Sequence, residues 1–159
     1  MGKLDLITWS PTYSVWVPFI DDQHKELFRL INDLYNHCVG DPESERLYFQ
    51  KVIKDAVNYI KVHFSTEEKL MLQTKFSGYA EHKKGHNVFI YNVLEQVKLY
   101  EETQKISLLS FTNFLREWIL THIAICDKQY FEYFKKIATR KSDGTFSISM
   151  EDIRQAENK

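Results

Sequence analysis

Two cysteines, Cys38 and Cys126, are all that the chain contains, too few for a disulfide scaffold. Five glycines and three prolines in 159 residues argue against a loop-built or low-complexity chain. Lysine and arginine never form a run, and the formal net charge is −1, so the electrostatic footprint of a nucleic-acid binder is missing. No apolar stretch is long enough to span a bilayer, and the opening, MGKLDLITWSP, lacks the apolar centre of a signal peptide. Leu6 stands where a myristoylation signal after Gly2 wants Ser or Thr. Together these absences predict a cytoplasmic protein that takes neither nucleic acid nor membrane as its partner.

What remains is 43% hydrophobic and 14% aromatic, enough for one sizeable core in a chain whose length suits one domain. Four long stretches repeat apolar residues at helical spacing. The first, from about Phe19 to Val39 after Pro18, puts Ile20, His24, Leu27, Phe28, Ile31, Leu34, Tyr35 and Cys38 on one face. The second runs from about Glu43 to Gln73, the third from about Tyr79 to Glu101, and the fourth from about Leu108 to Ala138. GDPES, TKFSG and ETQKIS separate them, and no strand is predicted before the tail. Short links between four helices predict an all-α, antiparallel up-down-up-down bundle over residues 1–138. An N-terminal arm, ITWSPTYSVWVP, should lay its aromatic side chains across the bundle. Residues 139–159 form an extension with one short helix, which Ser149 and Asp152 are placed to cap. The extension reads equally as a docking element for a protein partner or as a frayed end.

Six histidines are present, and five of them, His24, His63, His82, His86 and His122, fall on these apolar faces. An isolated pair such as His82 and His86, four residues apart, also describes two unrelated surface histidines. Five spread over four helices is a different observation. In an antiparallel bundle the start of the first helix, the end of the second, the start of the third and the end of the fourth share one end. Measured from the other end, the five lie about 15 to 20 residues in, or about 22 to 30 Å, so they can meet at one level. Unpartnered buried imidazoles are costly, and a metal centre removes the difficulty. His37, near the far end of the first helix, reads as an ordinary histidine.

Two carboxylates join the set. Glu67 follows His63 by four residues and shares its face, whereas its neighbour Glu68 is expected to point away into solvent. Asp127 follows His122 by five, about 140° off the face of a regular helix. Alone it reads as a surface residue; with the histidines in place, a π-type turn over 122–127 would bring it into line. Five nitrogens and two carboxylates overfill one ion. If both carboxylates and one solvent-derived oxygen bridge two ions, an ion with three histidines has six ligands. An ion with two has five, and one position stays open. Imidazole with bridging carboxylate suits iron best. Cys38 and Cys126 should be about 20 Å apart in such a bundle, too far to pair.

The pieces DDQHKELF, HFSTEE, GYAEHKKGH and WILTHIAICD together carry the pattern H…HxxxE…HxxxH…HxxxxD in order. From about Trp9 to Phe134 the chain resembles the hemerythrin family, above all its bacterial members: non-haem di-iron bundles that bind dioxygen. A family member is a standing example of the up-down bundle. The resemblance implies two iron ions, cycling between Fe2+ and Fe3+ with an oxo or hydroxo bridge. His82, His86 and His122 match the ligands of the saturated iron, and His24 and His63 those of the iron with the open position. Glu67 and Asp127 match the bridges. Phe64, Trp118, Ile119 and Ile123 match the oxygen pocket, and Tyr130 and Trp9 match aromatic residues of the family. Azide and other small anions would bind the ferric form. The chain departs from its bacterial relatives at Trp16, usually glycine, and at Ile119, usually leucine, which leaves oxygen affinity and autoxidation rate open.

The first functional reading is therefore reversible dioxygen binding, as a carrier, store, scavenger or sensor, without catalysis. Ferritin-like oxidases use a carboxylate-rich set, and this chain offers mostly neutral nitrogens. The alternatives are a di-iron enzyme acting on peroxide or nitric oxide, and a sensor or interaction module working through the C-terminal extension.

Overall fold

The structure, a computed structural model, describes residues 5–38, 42–103, 107–142 and 146–157. Its long helices are α1 (Pro18–Asn36), α2 (Pro42–Gln73), α3 (Tyr79–Thr103) and α4 (Leu108–Thr121). Residues His122–Asp127 wind as a π-helix and lead directly into α5 (Lys128–Phe134). Pro18 sits in the first turn of α1, where its missing N–H and fixed φ are no handicap. Val39, the expected end of that helix, lies outside the described residues; α1 closes at Asn36, with His37 as its C-cap. Ser107 caps α4 by accepting the Ser110 N–H at 3.1 Å. The fourth helical stretch ends at Phe134 rather than Ala138.

Burial follows the predicted faces. Ile20, His24, Leu27, Phe28, Ile31 and Leu34 of α1 are buried, as are His82, His86, Phe89 and Val93 of α3, whereas Tyr35, Cys38 and Val97, expected on the same faces, are only half-buried. One apolar cluster fills the bundle from Leu34, Phe49 and Leu108 to Phe64, Ile119 and Ile123. A second, around Val15, Val17, Ile20, Leu70, Met71, Tyr130 and Phe134, closes the other end. The histidine level lies between them. No described helix is long and apolar enough to cross a membrane.

The arm crosses the bundle as expected. Ile7 exchanges two backbone hydrogen bonds with the Asn32 amide, its N–H donating to Oδ1 at 3.0 Å and its carbonyl accepting from Nδ2 at 2.8 Å. Trp9 and Tyr13 then meet the Phe28 ring edge-on, at 5.5 and 5.3 Å between centroids. The arm's last turn is pinned by Asp21, which accepts from the Val15 N–H at 2.8 Å and the Ser14 hydroxyl at 2.5 Å. Lys128, one residue beyond the π-helix, donates to the Ser14 carbonyl. Trp16 has φ 60°, a left-handed conformation that favours glycine, and its ring stacks on Phe131.

The extension docks on its own bundle. Thr139–Arg140 pairs antiparallel with Phe146–Ser147, a hairpin the sequence pattern does not announce. Helix α6 (Met150–Glu157) follows, opened by a reciprocal capping box. The Asp152 N–H donates to Ser149 Oγ at 3.1 Å, and the Ser149 N–H donates to Asp152 Oδ2 at 2.7 Å. Ile148, 4% exposed, is the anchor in the second cluster.

Helix α2 ends in a Schellman motif. The Phe76 N–H reaches back to the Met71 carbonyl at 2.9 Å and the Lys75 N–H to the Leu72 carbonyl at 3.1 Å. The residue between must be left-handed, and it is Lys75, with φ 55°. A side chain there costs about 1–2 kcal/mol relative to a regular conformation. Lys75→Gly should raise stability by about 1 kcal/mol, moving Tm up by about 2–4 °C. A fall in Tm on thermal unfolding would contradict this account of the turn.

Candidate metal centre

Four helical segments bring the seven side chains to one level, and all seven are buried: His24, His63, Glu67, His82, His86, His122 and Asp127. Two groups share Glu67. One is Glu67 with His82, His86 and His122; the other is Glu67 with His24 and His63. In the first, His122 Nε2 lies 3.1 Å from His86 Nε2 and 3.2 Å from His82 Nε2. An octahedral ion with bonds of about 2.1 Å holds adjacent donors about 3.0 Å apart, so this spacing fits three nitrogens on one metal.

Asp127 reaches both groups because of the π-helix. The wider turn removes the 140° error of a five-residue spacing, and Asp127 Oδ1 comes within 3.1 Å of His122 Nε2 and 3.5 Å of His82 Nε2. Its other oxygen lies 3.3 Å from His24 Nε2. Glu67 divides in the same way, Oε2 being 3.3 Å from His86 Nε2 and Oε1 3.7 Å from His24 Nε2. Tyr130, buried one turn after Asp127, donates its hydroxyl to Glu67 Oε1 at 2.5 Å.

Several polar atoms of this site lack hydrogen-bond partners. Buried side-chain atoms without a hydrogen bond, among the described residues, are His24 Nδ1 and Nε2, Glu67 Oε2, both Asp127 oxygens, and Arg116 Nε. All but the last belong here. Orphaned acceptors around imidazole nitrogens are what cation ligands look like without their cation, so the residues fit a metal. Positive charge is wanted in the metal-free site too. Burial alone would lower His24 and His122, but the adjoining carboxylates outweigh it and raise them to about 9 and about 10. Burial pushes His63 down to about 4 against the pull of Glu67. Glu67 and Asp127 are held below the usual carboxylate range: burial opposes this, and the surrounding histidines overcome it.

Outside the seven, His63 Nδ1 faces Gln23 Oε1 at 3.0 Å, and His86 Nδ1 faces Glu68 Oε1 at 3.1 Å. Both contacts put the ring proton on Nδ1 and leave Nε2 free for a metal. Glu68 therefore corrects the sequence reading: it turns in toward His86 rather than out to solvent, because α2 and α3 pack closely enough for a side chain beside Glu67 to cross. Gln23 was missed, since a glutamine before a ligand carries no periodic signal.

The aromatic neighbours are close. Phe64 stacks on His86 at 3.7 Å and Trp118 on His122 at 4.3 Å, while Ile119 and Ile123 are 3% and 1% exposed. The Trp9 ring is 6.4 Å from that of His24 and also lines a cleft of about 410 Å³ between the arm and α1. His37 stacks on Tyr48 away from the site, and Cys38 and Cys126 are not joined in a disulfide.

The raised histidines give the metal-free protein a definite pH profile. A folded pKa above the unfolded 6.5 contributes stability that is complete below pH 6.5 and lost as pH rises through about 9 to 10. His63, depressed to about 4, acts oppositely, and its contribution is lost below pH 6.5. Chelated protein should thus melt at a lower temperature at pH 9.5 than at pH 7, and metal-loaded protein should not, because its ligands are already deprotonated. Equal melting temperatures for chelated protein at both values would mean that His24 and His122 are not paired with the carboxylates.

Known proteins resemble this chain in sequence and in fold. A family model described as the hemerythrin HHE cation binding domain matches residues 17–134. Myohemerythrin of Sipunculus nudus is 31% identical over 126 residues, 79% of this chain and 92% of the relative. Bacteriohemerythrin of Methylococcus capsulatus is 29% identical, over 79% of this chain and 94% of its own. A crystal structure of wild-type hemerythrin superposes with a TM-score of 0.71 at 28% identity, covering 80% of this chain and 96% of the other. The match begins at the doorstep of α1, ends with α5 and spans every side chain of the centre, and on that ground the chain belongs to the hemerythrin family of cation-binding bundles.

Proposed function

We propose that the chain holds two iron ions and binds dioxygen reversibly, in the cytoplasm, without consuming it. The observation that carries this is the donor set: five buried imidazoles and only two carboxylates, both placed to reach two groups of histidines. On this reading His82, His86 and His122 would hold one iron and His24 and His63 the other, with Glu67 and Asp127 available to both. When bound, a ferrous pair supplies the electrons that let dioxygen attach and leave unchanged.

The protein's own share is positioning and exclusion. Tyr130 fixes one oxygen of Glu67, so the carboxylate cannot swing away from the histidines. Phe64 and Trp118 lock two imidazole planes by stacking. Ile119 and Ile123, with Phe64 and Trp118, line the side proposed for the oxygen and keep water out of it. Among these four lining side chains there is no carboxylate or imidazole to deliver protons, which favours release over reduction. Neutral nitrogen donors also favour the ferrous state over higher-valent iron, in contrast to the carboxylate-rich oxidases.

Two irons per chain are expected on metal analysis after ferrous reconstitution under argon. Reduced, iron-loaded protein should gain an absorption band in air and lose it under renewed argon. A single bound ion, or no band, would end the proposal. Steady consumption of peroxide or nitric oxide beyond one equivalent would place the chain among enzymes instead. Azide should bind the oxidised form.

Ile119→Ala should destabilise the fold by about 2–5 kcal/mol and hasten loss of the air-induced band, because the emptied space admits water and anions. Trp118→Phe should disturb the band less. If Ile119→Ala keeps the parent's decay rate and the parent's rate of azide binding, then Ile119 does not guard the oxygen side.

A further inference from the structure

Behind the two groups of histidines stand unequal partners. His86 Nδ1 meets a carboxylate, Glu68 Oε1, at 3.1 Å, and the Glu68 side chain is 17% exposed. His63 Nδ1 meets a neutral amide, Gln23 Oε1, at 3.0 Å, whose nitrogen is turned toward Thr66 Oγ1 at 3.4 Å. Among the described residues, His24 Nδ1 finds no hydrogen-bond partner. A carboxylate behind an imidazole draws its Nδ1 proton and concentrates electron density on Nε2, which makes that ring the stronger ligand; an amide does so far less. On its outer side Glu68 Oε2 pairs with Lys83 Nζ at 3.0 Å, and Lys83 donates to the Tyr79 hydroxyl at 3.2 Å. Glu68 is thus shared between a surface cation and a buried ligand.

We propose that Glu68, acting through His86, makes the His82–His86–His122 position the tighter and first-filled of the two metal positions, with Gln23 leaving the His24–His63 position the weaker. This rests on the two-metal reading above. Glu68 is a positioning residue: it touches a ligand and does not itself join the donor set. Its effect adds to the difference in histidine number, and Lys83 opposes it by holding part of the Glu68 charge. The centre would therefore have a lasting asymmetry, with one metal held firmly by His82, His86 and His122 and the other less so by His24 and His63.

The test uses the full-length, metal-free chain titrated anaerobically with Co2+, in competition with a chromophoric chelator that resolves two binding steps. The parent should show a tight step and a weaker one. Glu68→Gln keeps the shape and an acceptor for His86 but removes the charge, so the first step should weaken by about 10- to 100-fold while the second moves by less than about threefold. Gln23→Glu should strengthen the second step and leave the first alone. Lys83→Met should tighten the first step, by about two- to fivefold, a direction that general damage to the fold does not produce. Far-UV circular dichroism and thermal melting of each metal-free variant confirm that it is folded. Loss of both steps together in Glu68→Gln, or no change in either, overturns the proposal with the two-metal reading intact. A parent that takes up no second equivalent of Co2+ overturns both.

Discussion

Everything in this molecule is arranged around the burial of seven ionisable side chains at one level of a four-helix bundle. Removing two carboxylates and five imidazoles from water is costly unless positive charge is placed among them. The metal-free protein supplies that charge with protons, which is why His24 and His122 hold theirs to well above neutral pH, while burial makes His63 give its own up. The pair of divalent cations proposed above would meet the same need with more charge and more directional bonds. The orphaned carboxylate oxygens of the cluster thus suit it to cations before any arrives.

The apolar framework has the complementary task of keeping the level dry. One cluster lies on each side of it, and stacked rings fill the space between ligands: Phe64 on His86, Trp118 on His122, Phe89 on Trp118. The arm adds Trp9 beside His24, and the extension adds Ile148 to the cluster that contains Tyr130. Tyr130 in turn holds Glu67. The arm therefore bears on the centre directly, through Trp9, and the extension joins the apolar cluster that holds Tyr130.

Some local conformations run against residue preference, and each has a visible reason. Trp16 and Lys75 are both left-handed where glycine would be easier. Lys75 is forced there by the turn that ends α2 and sends α3 back along it. Trp16 is compensated by stacking on Phe131, beside the point where Lys128 ties the π-helix to the arm. The π-helix is the most consequential irregularity, because a regular helix would leave Asp127 facing away from the histidines.

The sequence by itself determined the four helices, their inward faces and the level at which the histidines meet. Apolar periodicity fixes which side of a helix is buried, and short links fix antiparallel order. Even the irregular turn was legible, because a five-residue spacing between His122 and Asp127 makes sense only if the helix widens. Other features depend on distances between helices, which no spacing within one helix encodes. That is why Glu68, one residue from Glu67, could be read as solvent-facing when it in fact crosses to His86, and why Gln23 behind His63 gave no signal. It is also why the extension could be read as loose, when Ile148 has a buried place waiting in the arm-side cluster. Periodicity tells a side chain that it points inward; only the packed bundle decides which partner it finds there.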